Sequence, residues 1–293
     1  MKVGFIGLGV MGEPMARHLR AAGHDLAVWA RRPASAAALV AEGVPLYATP
    51  AELAARSEVV ITIVTASADV DALAFGPDGL AAGFAPGAIH VDMSTIAPAM
   101  ARSLAERHAA RGIGFVDAPV SGGGQGARDA TLAIMAGAEA DVLERVRPLL
   151  AAMGKRIVHI GPPGAGQVAK ACNQMIMVAA IQACAEAMRL ADAHGVDLAA
   201  VRTALSGGSA GSRVLEVMGA KMVERDFAAG VEARLHHKDF ALLMDEAARL
   251  GAPLPVAAQV WQQLNALMGA GWGRDDTSSL LRVLEAASPR GAG

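Results

Sequence analysis

The stretch GAGQVAKACNQMIMVAAIQACAEAMRLAD, residues 164–192, divides the chain into two unlike halves. Its length and its few charges predict one long helix at about 166–193, buried on most of its circumference. Lys170, Asn173 and Gln174 share a face of that helix, because spacings of three and four bring helical residues together. A buried ammonium group is costly without a partner, so Lys170 either extends to solvent from the helix end or takes part in chemistry.

Before this stretch, short apolar runs alternate with segments of helical periodicity. Such alternation predicts an α/β fold, a mostly parallel sheet with helices on both faces. The apolar runs predict strands at 3–7, 25–30, 59–64, 88–93, 113–116, 132–136 and 157–160. Helices are expected between them at 11–22, from Pro33, from the capping box Thr49–Glu52, at 98–111 and at 140–153.

After residue 160 the pattern changes at Gly161-Pro162-Pro163-Gly164, and the remaining residues have helical periodicity throughout. Beyond the long helix, helices are expected near 197–205, 213–223, 235–250, 254–269 and 277–287. The chain is long enough for two cores. The sequence therefore predicts an α/β domain at 1–162 and an all-α domain at 163–293, joined through the long helix.

The composition excludes several classes of protein. Hydrophobic residues make up 53% and charged residues 18%, which excludes a disordered chain. A net charge of -2 and three scattered tryptophans indicate neither a nucleic-acid partner nor an anionic membrane surface. No run reaches the ~18 uninterrupted apolar residues of a membrane span. An anionic ligand must therefore be bound by local groups.

Cys172 and Cys184 are the two cysteines of the chain. On one helix, twelve residues at ~1.5 Å each separate them by about 18 Å, beyond the ~7 Å between Cα atoms that a disulfide permits. This favours a reducing, cytoplasmic location. Each thiol is interpreted as a small buried hydrophobe.

Six residues at the N-terminus, Gly7-Leu8-Gly9-Val10-Met11-Gly12, follow the first strand and open a helix. Three glycines in this context predict a dinucleotide site, where the pyrophosphate meets the free N–H groups of the helix. The alternative is a tight strand–helix turn that binds nothing.

The end of the second strand predicts which dinucleotide is bound. An NAD site usually has a carboxylate there for the ribose hydroxyls. This chain has Arg31 and Arg32 instead, and guanidinium groups suit a 2′-phosphate, so NADPH is favoured over NADH. The alternative is a pair of solvated arginines that stack on the adenine.

Three further loops follow strand ends, where ligands bind in open α/β sheets. Val64 and Thr65 lie in the first and Ser94 and Thr95 in the second, near the expected nicotinamide. The third, Ser121-Gly122-Gly123, combines a hydroxyl with unobstructed amides that can bind a small carboxylate. Each loop by itself could equally be an ordinary turn.

Metal catalysis and serine hydrolysis find no support in the sequence. His236 and His237 are adjacent, so on a helix they point about 100° apart, and no metal-ligand spacing accompanies them. No serine lies in a Gly-x-Ser-x-Gly motif. No metal is expected.

Together these motifs resemble those of the β-hydroxyacid dehydrogenase family from end to end. The matching segments are 7–12, Asp92-Met93-Ser94-Thr95-Ile96-Ala97-Pro98, Asp117-Ala118-Pro119-Val120-Ser121-Gly122-Gly123, Gly164-Ala165-Gly166 leading to Lys170 and Asn173, and Lys238-Asp239. Asn173-Gln174, residues 207–212 and residues 235–239 look most like the 2-hydroxy-3-oxopropionate (tartronate semialdehyde) reductases of that family.

The resemblance implies a dinucleotide-binding Rossmann domain, an all-helical second domain and a homodimer or homotetramer. It implies NAD(P)H-dependent reduction of a small carboxylate-bearing aldehyde, with Lys170 as the catalytic acid and base. Ser121, Gly122, Gly123, Asn173 and Gln174 would bind the substrate, and Lys238 would lie beside the cofactor. The alternatives are a 3-hydroxyisobutyrate dehydrogenase, a glyoxylate or succinic semialdehyde reductase, and a dinucleotide-binding scaffold without activity.

The chain departs from the family pattern at three places. Ala30-Arg31-Arg32 replaces the acid- or asparagine-containing segment common in NAD-using members. The segment 64–67 lacks a Leu-Pro pair, and Asp129-Ala130 stands where many members have Gly-Thr. None of these changes removes a residue expected to act in catalysis.

Overall fold

A computed structural model describes residues 1–287 as two compact units. The first runs from Met1 to Lys170, and the second begins at Ala171. This division falls inside the long helix that begins at Ala165.

The first unit contains an eight-stranded sheet within the described residues. Its strands are β1 (Lys2–Ile6), β2 (Asp25–Trp29), β3 (Val59–Thr62), β4 (Ile89–Asp92), β5 (Gly114–Asp117), β6 (Val120–Ser121), β7 (Leu132–Gly137) and β8 (Gly154–Gly161). The helices of this unit are α1 (Gly12–Ala21), α2 (Ala37–Ala41), α3 (Pro50–Ala55), α4 (Ser67–Phe75), α5 (Leu80–Gly83), α6 (Pro98–Ala109), α7 (Gly123–Arg128) and α8 (Ala140–Ala151).

The sheet has the order β2-β1-β3-β4-β5-β7-β6, with β8 paired to β7. The strands from β2 to β5 are parallel, whereas β7 runs antiparallel to β5 and β6. An isolated parallel bridge between Val28 and Leu46 extends the order beyond β2. β2 lies on one side of β1, and β3 lies on the other side. The strand order therefore reverses at β1 and β3, which is the topological switch point of the sheet.

The central strands β3 and β4 are buried along their full length, as expected where helices cover both faces of a parallel sheet. On β3, Val59 and Ile61 pack in one core with Met15 of α1, while Val60 packs in another core with Leu53 of α3. The expected α/β class, mostly parallel with helices on both faces, is confirmed.

The second unit is helical in its described part. Helix α9 (Ala165–Ala193) passes from the first unit into the second and is followed by α10 (Leu198–Ser206), α11 (Arg213–Glu224), α12 (Ala233–Leu250), α13 (Pro255–Gly269) and α14 (Leu280–Ala287). Its core joins Val178 and Ile181 of α9 to Phe240 of α12 and to Leu264 and Leu267 of α13. The all-α class of this half and the long connecting helix are confirmed.

Helix α9 is less buried than its sequence predicts. Ile176 is 68% exposed and Leu190 is 64% exposed. Cys184 is buried and Cys172 is exposed, so the interpretation of both thiols as buried hydrophobes was wrong for Cys172. By length and composition alone α9 could cross a membrane, and 39% of its most apolar window is buried in the protein. Core helices pass the same test, so this is weak evidence for a membrane.

The segment after β5 differs from the expected loop. Val120 and Ser121 form β6, which pairs antiparallel with Ile134 and Ala133 of β7, and α7 begins at Gly123. Neither element is predicted from the sequence, because the strand is only two residues long and the helix begins with glycines.

Candidate active site

The carboxyl ends of four parallel strands lie in register along one edge of the sheet. Ile6, Thr62, Asp92 and Asp117 are successive Cα partners across β1, β3, β4 and β5. Every loop that follows these strands therefore starts from the same edge. The edge includes the point where strand order reverses, which is where open α/β sheets bind ligands.

The glycine turn between β1 and α1 is sterically required. Gly7 has a φ of +103°, and a Cβ built on it would lie 2.0 Å from the Ile63 carbonyl oxygen. A Cβ on Gly12 would lie 1.9 Å from the Gly7 carbonyl oxygen. In contrast, a Cβ on Gly9 meets no heavy atom within 4 Å. The first and third glycines therefore allow the turn to close, and the second faces open space.

This turn fits a dinucleotide pyrophosphate. Helix α1 begins without a side-chain cap. The Glu13 N–H donates to the Gly9 carbonyl oxygen and Pro14 has no N–H, so the amides that can bind an anion are those of the turn before Glu13. Open space at Gly9 lets a phosphate approach the backbone closely. Of the three other residues of the turn, Leu8 is buried in the core while Val10 is largely exposed and Met11 immediately precedes the helix.

Arg31 and Arg32 follow β2 and are both exposed. The Arg31 side chain is 81% exposed, and its Nη1 lies 3.3 Å from Oδ1 of Asp69 on α4. An ion pair this long and this exposed contributes little, so both guanidinium groups can reorient toward a ligand.

The loops after β3 and β4 are bonded to each other. The Val64 N–H donates to Ser94 Oγ at 2.8 Å, and the same hydroxyl donates to Asp92 Oδ1 at 2.7 Å. Thr65 and Thr95 lie next to these two residues, Thr65 exposed and Thr95 half-buried. The expected cofactor residues Val64 and Ser94 are thus held in fixed positions at the carboxyl edge.

Lys170 lies on α9 and is 7% exposed, so it does not extend into bulk solvent. Its Nζ donates to the Val120 carbonyl oxygen at 2.8 Å. Val120 immediately precedes Ser121, where β6 ends, and the glycines of α7 follow. The structure therefore brings Lys170 to the segment 120–123 that contains three of the expected substrate residues.

Those three residues form the turn from β6 into α7. Gly122 has a φ of +137° and Gly123 a φ of +60°, conformations that favour glycine. Helix α7 begins without a side-chain cap. Ser121 contributes a half-buried hydroxyl beside these amide groups.

The remaining expected residues form a second cluster, within the second unit. The Asn173 side-chain amide donates to Gln174 Oε1 at 2.9 Å, and Gln174 Nε2 donates to Asp239 Oδ2 at 2.6 Å. Lys238 Nζ lies 2.8 Å from Asp239 Oδ1. Asn173 and Gln174 follow Lys170 by three and four residues on α9.

A buried polar network behind the carboxyl edge was not predicted from the sequence. Thr62 Oγ1 donates to Asp92 Oδ1 at 2.8 Å and is hydrogen-bonded to His90 Nε2 at 2.9 Å. His90 Nδ1 lies 3.1 Å from His108 Nε2. Burial lowers the pKa of His90 well below its usual value and lowers the pKa of His108 to about 4. Both imidazoles are therefore neutral at pH 7.

Asp117 is the second unpredicted feature. It has no exposed surface, and its carboxylate accepts the Gly164 N–H at 2.6 Å and the Gln167 N–H at 2.9 Å. Burial raises the pKa of Asp117 to about 7, and the nearby Asp92 raises it as well. The one sequence signal for this role is a carboxylate at the end of an apolar strand.

Within residues 1–287, no group of three His, Cys, Asp or Glu side chains is arranged to hold a metal ion. His236 Nδ1 lies 2.6 Å from Thr277 Oγ1, and the ring of His237 stacks on Trp261. Both histidines thus take part in packing and hydrogen bonding inside the helical unit.

Comparison with known families assigns both parts of the chain. Residues 2–161 match the NAD binding domain of 6-phosphogluconate dehydrogenase. Residues 164–284 match the NAD-binding domain of NADP-dependent 3-hydroxyisobutyrate dehydrogenase. Both halves therefore resemble nicotinamide-dinucleotide enzymes.

Individual relatives are similar over nearly the whole length. The chain is 39% identical to 2-hydroxy-3-oxopropionate reductase of Escherichia coli, covering 97% of both chains. It is 36% identical to NAD-dependent L-serine dehydrogenase of Pseudomonas aeruginosa, covering 97% of this chain and 98% of the other. Among solved structures, 3-hydroxyisobutyrate dehydrogenase of Mycobacterium tuberculosis with L-serine has a TM-score of 0.89 at 32% identity, covering 97% and 98%.

The names of these relatives give different substrates. The serine dehydrogenase is named as NAD-dependent, whereas the family model that matches residues 164–284 is described as NADP-dependent. The expected Rossmann domain, the resemblance and the assignment as an oxidoreductase are confirmed by their agreement over the full chain. This protein belongs to the NAD(P)-dependent β-hydroxyacid dehydrogenase family.

Proposed function

We propose that this enzyme reduces a small aldehyde acid to a hydroxy acid, and that its substrate is 2-hydroxy-3-oxopropionate, reduced to glycerate. The observation that carries the proposal is the buried Lys170, whose Nζ is bonded to the carbonyl just before Ser121. The 39% identity to the Escherichia coli reductase supports this choice of substrate.

In the proposed reaction, Lys170 as an ammonium donates a proton to the aldehyde oxygen. The bound dinucleotide supplies the hydride that reaches the aldehyde carbon. A nearby ammonium also stabilises the negative charge that develops on the oxygen. In the reverse direction, neutral Lys170 accepts the proton of the hydroxyl group.

The proposed substrate contacts are hydrogen-bond donors suited to a carboxylate and a hydroxyl. Ser121 and the amide groups of Gly122 and Gly123 would bind the carboxylate, since consecutive N–H groups at a helix start attract anions. Asn173 and Gln174 would contact the hydroxyl or the carboxylate. The two glycines carry no side chains, which leaves room for a compact acid of three or four carbons.

We propose that the enzyme prefers NADPH, and we predict that Arg31 and Arg32 carry the preference. Replacing both with alanine is expected to lower kcat/KM for NADPH by about 10-fold or more, because charge-assisted bonds to a phosphate contribute roughly 1.5–3 kcal/mol each. The value for NADH should change by less than about threefold, since its ribose lacks the phosphate. Steady-state kinetics with both dinucleotides measure the ratio.

A suitable control is Arg156→Ala, which removes an exposed arginine from β8, away from the end of β2. This variant should keep the wild-type ratio. An equal loss for NADPH and NADH in the double variant would show that the two arginines do not recognise a 2′-phosphate.

A substrate panel tests the proposed function. Tartronate semialdehyde, glyoxylate, succinic semialdehyde and methylmalonate semialdehyde are each reduced with NADH and with NADPH, and 3-hydroxyisobutyrate and L-serine are tested in the oxidative direction. The proposal expects the highest kcat/KM for tartronate semialdehyde. A higher value for L-serine or 3-hydroxyisobutyrate would favour the activities that relatives' names give. Dinucleotide binding without turnover of any compound would indicate a scaffold.

We further propose a cytoplasmic homodimer or homotetramer. The exposed apolar side chains of Ile176 and Leu190 on α9 support a surface that a second copy covers. Light scattering after size exclusion measures the mass, and a monomer at micromolar concentration would contradict the proposal.

A further inference from the structure

The start of α9 is bonded to the carboxyl edge of the sheet through one buried side chain. Asp117, the last residue of β5, accepts the N–H of Gly164 with Oδ1 and the N–H of Gln167 with Oδ2. These donors belong to the residue before α9 and to its first turn, where helical N–H groups lack partners within the helix. The carboxylate therefore acts as a cap supplied by another element.

Two more contacts hold the same turn. The Gln167 side chain donates to the Ser94 carbonyl oxygen at 2.8 Å and accepts the Ile96 N–H at 3.1 Å. Lys170 donates to Val120 O, three residues beyond Asp117. The segment after β5 thus binds α9 both at its start and at Lys170.

Close packing leaves the carboxylate little freedom. A Cβ on Gly166 would lie 2.8 Å from Asp117 Oδ2, and a Cβ on Gly137 would lie 2.5 Å from Oδ1. Because these two residues lack side chains, the carboxylate fits between β7 and α9. A side chain confined in this way fixes the position of the helix that it caps.

We propose that Asp117 is a positioning residue that sets the start of α9 and thereby places Lys170 for proton transfer. This inference rests on the role of Lys170 proposed above. Asp117 does not itself contact the reacting atoms in this scheme.

The two hydrogen bonds that Asp117 accepts from the start of α9 depend on the ionisation of the Asp117 carboxyl group. As a carboxylate it accepts both N–H groups, whereas a protonated carboxyl turns one acceptor oxygen into a donor. Because the pKa of Asp117 is raised to about 7, the carboxylate becomes protonated as the pH falls through neutrality. Asp92, the Cα partner of Asp117 on β4, raises the pKa of Asp117. Other charged or titratable side chains on the surrounding elements include His90 on β4, Arg102 on α6, His159 on β8 and Lys170 on α9.

The test compares Asp117→Asn, Lys170→Ala, their double variant and the wild type, using the aldehyde acid with the highest kcat/KM in the panel. At pH 8, Asp117→Asn is expected to lower kcat about 10- to 100-fold, because small displacements of a catalytic group cost that much. The KM for the dinucleotide should change by less than about twofold. The wild-type kcat should fall as the pH drops through about 7, and this limb should be absent in Asp117→Asn.

The matched control is Asp197→Asn, which changes the aspartate that caps α10 by accepting the Ala199 N–H. Helix α10 carries none of the proposed site residues, so this variant should keep the wild-type kcat and pH profile. In the Lys170→Ala background, Asp117→Asn should cause no further loss, since it acts through the lysine.

The outcomes separate this inference from the proposed function. Near-normal kcat in Lys170→Ala would overturn the proposed function, whatever Asp117→Asn does. Suppose that Lys170→Ala lowers kcat as expected, while Asp117→Asn keeps the wild-type kcat and the low-pH limb. This result would overturn only the role of Asp117. A further loss of kcat in the double variant, compared with Lys170→Ala, would also overturn the role of Asp117.

Hydrogen exchange of the wild type tests the same point without a variant that has to fold. Below pH 7, the amides of residues 164–168 should lose protection relative to their intrinsic exchange rates. The first turn of α10 serves as the internal reference. Unchanged protection of 164–168 between pH 8 and pH 6 would overturn the proposal.

Discussion

Lys170→Ala is expected to lower kcat by about 10³-fold or more and to leave the dissociation constant for NADPH within about twofold of the wild type. General acid catalysis contributes about 10²–10⁴-fold, and stabilisation of the developing oxyanion adds to it. Dinucleotide affinity should persist because the glycine turn and the arginines lie on other elements, after β1 and β2. Stopped-flow or steady-state rates measure kcat, and fluorescence titration measures binding.

The truncation also removes the Lys170 hydrogen bond to Val120, so the loss has to be separated from a structural defect. Lys155→Ala, which removes an exposed lysine from β8, is the matched control and should keep full activity. Thermal unfolding of both variants reports their folding. If folded Lys170→Ala kept more than about a tenth of the wild-type kcat, Lys170 would not be the general acid.

The course of the parallel sheet was predictable because most residues of its buried strands are apolar. Val59–Thr62 and Ile89–Asp92 are buried along their full length. The first is an apolar run that ends in a threonine, whereas the second carries His90 and Asp92 among its apolar residues. The glycine turn was equally visible, since it stands between a strand and a helix. These are local signals that a single segment carries in full.

The elements that escaped prediction depend on partners distant in sequence. β6 exists because Val120 pairs with Ile134 of β7, and two residues have no pattern of their own. Asp117 could be recognised as a strand end, but its donors lie 47 and 50 residues further along the chain. The sequence of a strand does not specify which helix start its last side chain will meet.

The placement of Lys170 likewise depends on a partner that is distant in sequence. A lysine near a helix end can extend to solvent as readily as it can be buried. The carbonyl of Val120 decides between these states, and it belongs to a strand that the sequence does not reveal.

The second large effect is expected in the glycine turn, where two substitutions separate folding from ligand binding. Gly12→Ala should lower both the melting temperature and the dinucleotide affinity. Its new Cβ would lie 1.9 Å from the Gly7 carbonyl oxygen, which is backbone and cannot rotate away. Forcing atoms into a closed space costs roughly 1–3 kcal/mol or more, and the start of α1 must shift to relieve it. A shift of its N–H groups should raise the dissociation constant for NADPH about 100-fold.

Gly9→Ala should behave differently, because a Cβ there meets no heavy atom of the protein within 4 Å. Its melting temperature should stay within about 2 °C of the wild type, as small substitutions away from close contacts change stability by less than about 0.5 kcal/mol. The new methyl group would nevertheless occupy the space through which a pyrophosphate approaches the backbone, so affinity should fall about 10-fold or more. Gly269→Ala, at the end of α13 and also free of contacts within 4 Å, controls for glycine replacement itself. Wild-type NADPH affinity in Gly9→Ala would mean that the pyrophosphate does not bind in the open space at Gly9. A wild-type melting temperature in Gly12→Ala would mean that the turn can move to relieve the 1.9 Å contact with the Gly7 carbonyl oxygen.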